Sequence, residues 1–169
     1  MKEVLTYDDV LLVPQYSTVR SRGEVDPSTD LGHGLRLGVP IISSPMDTVT
    51  ESSMAIAMHR NGATGIIHRY CDIITQAMMI ERAFHDGASN VGAAIGISGD
   101  FVERGSAALE HGAKFICVDV AHGHHVMMKE ALTILRRELG DDTHIMAGNV
   151  ATLQGINDLA DWGANSVRC

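Results

Sequence analysis

Four clusters of polar residues, each following a short apolar run, are the places where this 169-residue sequence can do chemistry. They are Ser44-Pro45-Met46-Asp47-Thr48, His68-Arg69, Asp119 with Ala121-His122-Gly123-His124-His125, and Gly148-Asn149. A carboxylate such as Asp119 accepts two hydrogen bonds from neighbouring hydroxyls. The flexible thioether of Met46, on a tight turn, suits contact with a flat ligand. Each residue also has a plainer reading. Asp47 can cap the helix that starts near Glu51, and Asn149 the one near Thr152. A lone His68 is most often a hydrogen-bonded structural residue, and Met46 a core filler. His122, His124 and His125 invite a metal, yet they lack the helical i, i+4 pairing with a Glu that a zinc protease shows, so no metal site is expected.

Among the cysteines, Cys71 sits at a helix start, where a helix dipole can lower a thiol pKa. Cys117 points from the middle of an apolar run and reads as packing, and Cys169 is the last residue of the sequence. None is expected to be a catalytic nucleophile. Their odd number and lack of metal-ligand spacing indicate reduced thiols in a cytoplasmic protein.

The elements that must position these groups follow one rhythm. Apolar runs at 39–44, 64–68, 90–96, 114–120, 143–148 and 165–169 alternate with helix candidates at 51–61, 72–86, 100–111, 125–139 and 152–162. The runs are apolar throughout, as a parallel strand buried on both faces requires, and the helices between them are the crossovers that parallel pairing needs. Gly62, Gly87, Gly112, Gly140 and Gly163 stand at helix exits; Asp72, Asp100 and Thr152 stand at N-cap positions. A doubly wound sheet and a (β/α)8 barrel share this rhythm. Two details favour the barrel: residues 1–38 precede the first run without repeating, and no G-x-G-x-x-G follows it. The expected fold is therefore α/β, a single incomplete barrel domain (1–169) of about six parallel strands, where a closed barrel has eight. In such folds the carboxyl ends of the strands carry the chemistry, and all four polar clusters fall there.

A net charge of −8 leaves no basic face for nucleic acid, although a small anionic ligand remains possible. No apolar run is long enough to suggest a membrane span, and no signal peptide is evident.

The segments LTYDDVLLVPQYSTVRSR (5–22), VPIISSPMDTVTE (39–51), GIIHR (65–69), VGAAIG (91–96), VDVAHGH (118–124) and IMAGNVAT (145–152) resemble, in order and spacing, the IMP dehydrogenase/GMP reductase family. The resemblance covers essentially the whole sequence. It implies a (β/α)8 barrel that oxidises IMP to XMP with NAD+, or reduces GMP to IMP and ammonia with NADPH. In both reactions a cysteine attacks C2 of the purine, and a hydride moves between that carbon and the nicotinamide. It also implies that Ser44, Met46 and Asn149 bind the nucleotide, with Met46 against the purine and Ser44 toward the phosphate. Asp119 would hold a ribose of the dinucleotide, flanked by Ala121 and His122. SSPMDTVTE and AHGH resemble dehydrogenases more than reductases, whereas the missing CBS pair, usually inserted after the second helix, is a trait shared with reductases. The balance favours IMP dehydrogenase.

In the family the glycine-rich loop carrying the nucleophilic cysteine and a monovalent-cation site follows the sixth strand. Cys169 aligns with a strand residue, so the nucleophile is expected beyond residue 169, and this chain alone is expected to be inactive. Its partners would be a purine nucleotide and either the remaining barrel portion or homologous subunits, the family being usually homotetrameric. A non-catalytic interaction module of the same fold is the alternative, since unpaired strand edges seek partners.

Overall fold

The computed structural model describes residues 4–169. After two single-turn 3-10 helices come a short antiparallel hairpin, β1 (Thr29–Asp30) and β2 (Arg36–Leu37), and then the repeating part. That part runs β3 (Ile42–Ser43), α1 (Ser52–Arg60), β4 (Thr64–Ile67), α2 (Ile73–His85), β5 (Gly92–Ile95), α3 (Phe101–Glu110) and β6 (Phe115–Asp119). It continues with α4 (Val126–Leu139), β7 (His144–Gly148), α5 (Leu153–Asp161) and β8 (Ser166–Arg168). Every strand from β3 to β8 pairs in parallel with its sequence neighbour, and the six-stranded sheet curls into a half-barrel.

Two cores explain why the strand sequences read as unbroken apolar runs. Side chains alternate across a pleated strand. In β6, Ile116 and Val118 face the helices and pack with residues such as Ile80, Leu132 and Leu135, all fully buried. Phe115 and Cys117 face the other way, into a second cluster with Ile66, Ala94 and Met146. Leu35 and Leu37 complete that inner cluster, so the hairpin plugs the end of the half-barrel where the strands begin. The hairpin segment 29–37 gave no repeating signal because a plug has to match only one hole. Each large side chain buried this way contributes roughly 1.5–3 kcal/mol.

The turn chemistry agrees in most places. All five helix-exit glycines have positive φ. Gly112 has a second reason to be glycine, because a Cβ there would lie 2.7 Å from the Phe84 ring. Asp72 Oδ1 accepts the Thr75 N–H at 2.7 Å, and Thr152 Oγ1 accepts the Gly155 N–H at 3.0 Å. Asp100 differs from expectation. It occupies the N-cap position without capping, and its carboxylate takes a hydrogen bond from Arg104 Nη2 at 2.8 Å. The buried Arg104 guanidinium is the stronger donor for that carboxylate. Among the described residues no helix is long and apolar enough to cross a membrane.

Candidate active site at the carboxyl ends of the strands

Asp119, Gly148 and Arg168 form one row across β6, β7 and β8, at the ends where the strands finish. The middle position has to be glycine: a Cβ on Gly148 would stand 2.7 Å from the Arg168 Cβ and carbonyl oxygen. Arg168 therefore passes over Gly148, and its Nη1 donates to Asp119 Oδ1 at 2.5 Å. Both side chains are mostly shielded, at 27% and 19% exposure, so the pair is held more firmly than a surface ion pair. Among the described residues no protein donor reaches Asp119 Oδ2, which leaves one carboxylate oxygen free to accept from a ligand hydroxyl. Arg69, following β4, donates through Nη2 to the Asp119 carbonyl oxygen at 3.4 Å.

The loops after β6 and β7 lock together. Val120 N–H donates to the Gly148 carbonyl, Asn149 N–H to the Val120 carbonyl, and Gly123 N–H to the Asn149 carbonyl at 2.7 Å. At Gly123 a Cβ would meet the Asn149 carbonyl oxygen at 3.0 Å, so the close approach depends on glycine. The result is a cavity of about 340 Å³ lined by Ala121, His122, His124, Asn149, Val150, Ala151, Thr152 and Cys169. Asn149 Oδ1 is buried without a protein partner, as an acceptor reserved for a ligand would be. A larger, mostly apolar cavity of about 520 Å³ lies beside it, where Leu5, Thr6 and Val10 meet Val150–Leu153, Ile156 and Cys169.

Ser44 lines a separate cavity of about 230 Å³ inside the curl, with Ile66, Met146 and Arg168. Its carbonyl is held by Thr50 Oγ1 at 2.6 Å and by Met46 N–H at 2.8 Å. The structure thus brings Ala121, His122 and Asn149 together in one cavity. Asp119 lines none of the cavities but ends the adjacent strand, level with Gly148, and its partner Arg168 lines the cavity of Ser44. Met46 stands on the same rim, after β3, but is 51% exposed and lines none of these cavities. Glu51, not Asp47, occupies the N-cap position of α1, without a side-chain cap; Thr152, not Asn149, caps α5.

The histidine cluster is divided among separate tasks. His124 Nε2 meets Asp158 Oδ2 at 2.7 Å, and its ring lies tilted against Trp162, tying the β6–α4 loop to α5. His125 Nδ1 accepts the Met127 N–H at the start of α4, and His122 is exposed on the cavity. Among the described residues no group of three or more His, Cys, Asp or Glu is arranged to hold a metal.

Three contributors escaped the sequence reading. Arg168 looked like an ordinary strand residue. Thr50 and Gln76 are buried polar groups at helix-side positions. Gln76 Nε2 donates to the carbonyls of Ile67, His68 and Ala94, pinning the ends of β4 and β5, while its Oε1 accepts from Arg104 Nη1. A glutamine on the apolar stripe of α2, beside Ala77, Ile80 and Ala83, was the available signal.

Two of the three thiols, Cys71 and Cys117, are kept protonated by their environment, whereas Cys169 is exposed. Burial pushes Cys117 up to about 11. Burial also raises Cys71, outweighing the nearby Arg104 charge. At mildly alkaline pH, iodoacetamide should therefore modify exposed Cys169 first and Cys71 slowly, leaving Cys117 untouched until the protein unfolds. Mass spectrometry of time points would read the order, and early labelling of Cys117 would contradict the packing described.

Residues 4–169 match the family model described as the IMP dehydrogenase / GMP reductase domain. The chain belongs to the IMP dehydrogenase/GMP reductase family. A solved family member, the inosine 5′-monophosphate dehydrogenase of Legionella pneumophila, superposes with a TM-score of 0.85 and 41% identity over 98% of this chain and 50% of that one. The inosine-5′-monophosphate dehydrogenase of Cryptosporidium parvum is 31% identical over 97% of this chain and 50% of its own length. A GMP reductase of Leishmania donovani is 50% identical over 82 residues, 48% of this chain and 17% of that protein. The chain spans about half the length of family members that it matches from end to end.

Proposed function

We propose that this chain is the N-terminal part of an IMP dehydrogenase barrel, which oxidises IMP to XMP with NAD+ in guanine nucleotide synthesis. The observation that carries the reading is the pairing of Asp119 with Arg168 beside the unpartnered Asn149 amide oxygen, on the rim where parallel barrels place their chemistry. SSPMDTVTE and AHGH favour dehydrogenase over reductase. The residues present fit a dinucleotide: a carboxylate with one oxygen free for ribose hydroxyls, and a groove along Ala121 and His122. When bound, NAD+ supplies the hydride acceptor.

In this reading Arg168 orients Asp119 by holding Oδ1, so that Oδ2 faces the ribose. Asn149 hydrogen-bonds the purine nucleotide, Ser44 positions its phosphate side, and Met46 packs on the base once the site is complete. In this reading the nucleophilic cysteine and the family's monovalent-cation site come from the C-terminal part that completes the barrel.

The test is complementation. This chain, mixed with the C-terminal half of a family barrel, is expected to produce NADH from IMP and NAD+, whereas the chain alone produces none. NADPH consumption with GMP instead would move the assignment to GMP reductase, and no turnover in either direction after co-refolding would reject both.

A further inference from the structure

At the opposite end of the half-barrel from the candidate active site, the β1–β2 hairpin carries His33 at its turn, with φ of 50°, between Gly32 and Gly34. His33 Nε2 lies 2.8 Å from Asn165 Nδ2. The roles in that contact are decided by the other end of the amide. Asn165 Oδ1 accepts from Arg136 Nη2 and from the Ile145 N–H, so Nδ2 is the donor toward the hairpin. His33 Nε2 must therefore be the acceptor, and an imidazole nitrogen accepts only while it carries no proton. Arg136 leaves the amide no freedom to turn, because it also donates to the carbonyls of Gly163, Gly140 and Thr143.

Other titratable and charged groups surround the turn. The buried His144 ring of β7 stands 6.2 Å from the His33 ring, with its Nε2 on Ser166 Oγ and the Gly32 backbone of the hairpin turn against it. Arg136 contributes a charge from α4, partly offset by Asp141. Lys114, ahead of β6, lies against Gly34. On the hairpin itself Arg36 adds a cation, and the Asp30 carboxylate is engaged by the Gly32 N–H at 2.8 Å.

We infer that the hairpin is a pH-sensitive plug: protonation of His33 breaks its contact with Asn165 and loosens the hairpin turn from the floor of the barrel. Leu35 and Leu37 remain buried and keep the opening local, because exposing both costs more than one hydrogen bond.

Residue-resolved hydrogen exchange tests this at about pH 7.5 and about pH 5.5, on either side of the imidazole range. The Leu35 N–H, bonded to Gly32 O, and the Leu31 N–H, bonded to Leu35 O, report the turn. After correction for intrinsic rates, their opening is expected to rise about tenfold at the lower pH, the equivalent of roughly one hydrogen bond. Amides of α3 should hold. His33→Asn, a residue that tolerates positive φ, should remove the pH response. The imidazole ¹⁵N shifts at neutral pH should show Nδ1 protonated and Nε2 free. Equal hairpin protection at both pH values, the same response in His33→Asn, parallel loss in α3, or an Nε2-protonated tautomer would each overturn the inference.

Discussion

Gly92→Ala is expected to destabilise the protein by about 3 kcal/mol, at the upper end for an added methyl in a packed interior. The added Cβ would stand 2.3 Å from Phe115 Cζ and within 2.7 Å of both neighbouring ring carbons. The ring has nowhere to retreat. Phe115 is fully buried, the His144 ring lies edge-on with centroids 6.0 Å apart, and Leu35 and Leu37 of the hairpin share its cluster. Register explains the clash, since Gly92 on β5 is paired directly with Phe115 on β6, so the aromatic ring fills the space that a side chain at 92 would use. Urea unfolding measures the loss. Combining Gly92→Ala with Phe115→Leu should recover a large part of it, so the two changes should be strongly non-additive. A loss under about 0.5 kcal/mol, the range of an ordinary surface change, would mean that the inner cluster is not packed as described.

The second large effect concerns the proposed chemistry. In the complemented enzyme, Asp119→Asn should lower kcat/KM for NAD+ about 10- to 100-fold, the equivalent of one hydrogen bond to a charged group. Asparagine keeps the shape but replaces one acceptor oxygen with a donor, and it removes the charge that holds Arg168. The KM for IMP should change much less, because in the proposed function the nucleotide is held by Ser44, Met46 and Asn149. Steady-state kinetics with each substrate varied in turn separates the two. Unchanged dependence on NAD+, in a variant of normal stability, would remove Asp119 from the ribose role.

These two positions illustrate how unevenly the molecule can be read from its sequence. The strands were visible because parallel strands buried on both faces need continuous apolar runs, and those from Thr64 to Ile67 and from Phe115 to Asp119 are such runs. The helices were visible through their exits, since each of five ends in a glycine with positive φ. The rim was legible for the same reason: once strand direction is known, Ser44, Asp119 and Asn149 must lie at carboxyl ends. The hairpin was not legible, because β1 and β2 are two residues each and take their stability from packing into the inner cluster. Nor was the pairing of Arg168 with Asp119, which are 49 residues apart in the chain.

The sequence by itself determined the order and type of the repeating elements and the end of the sheet that carries the polar groups. Those properties follow from local periodicity, turn stereochemistry and strand direction. Only the tertiary structure decided which polar groups hold one another. It assigned His124 to Asp158, Asn165 to His33 and Arg168 to Asp119, and it left Asn149 Oδ1 without a protein partner. Such partnerships depend on the curl of the sheet and on glycines that let backbones approach. No local pattern encodes them.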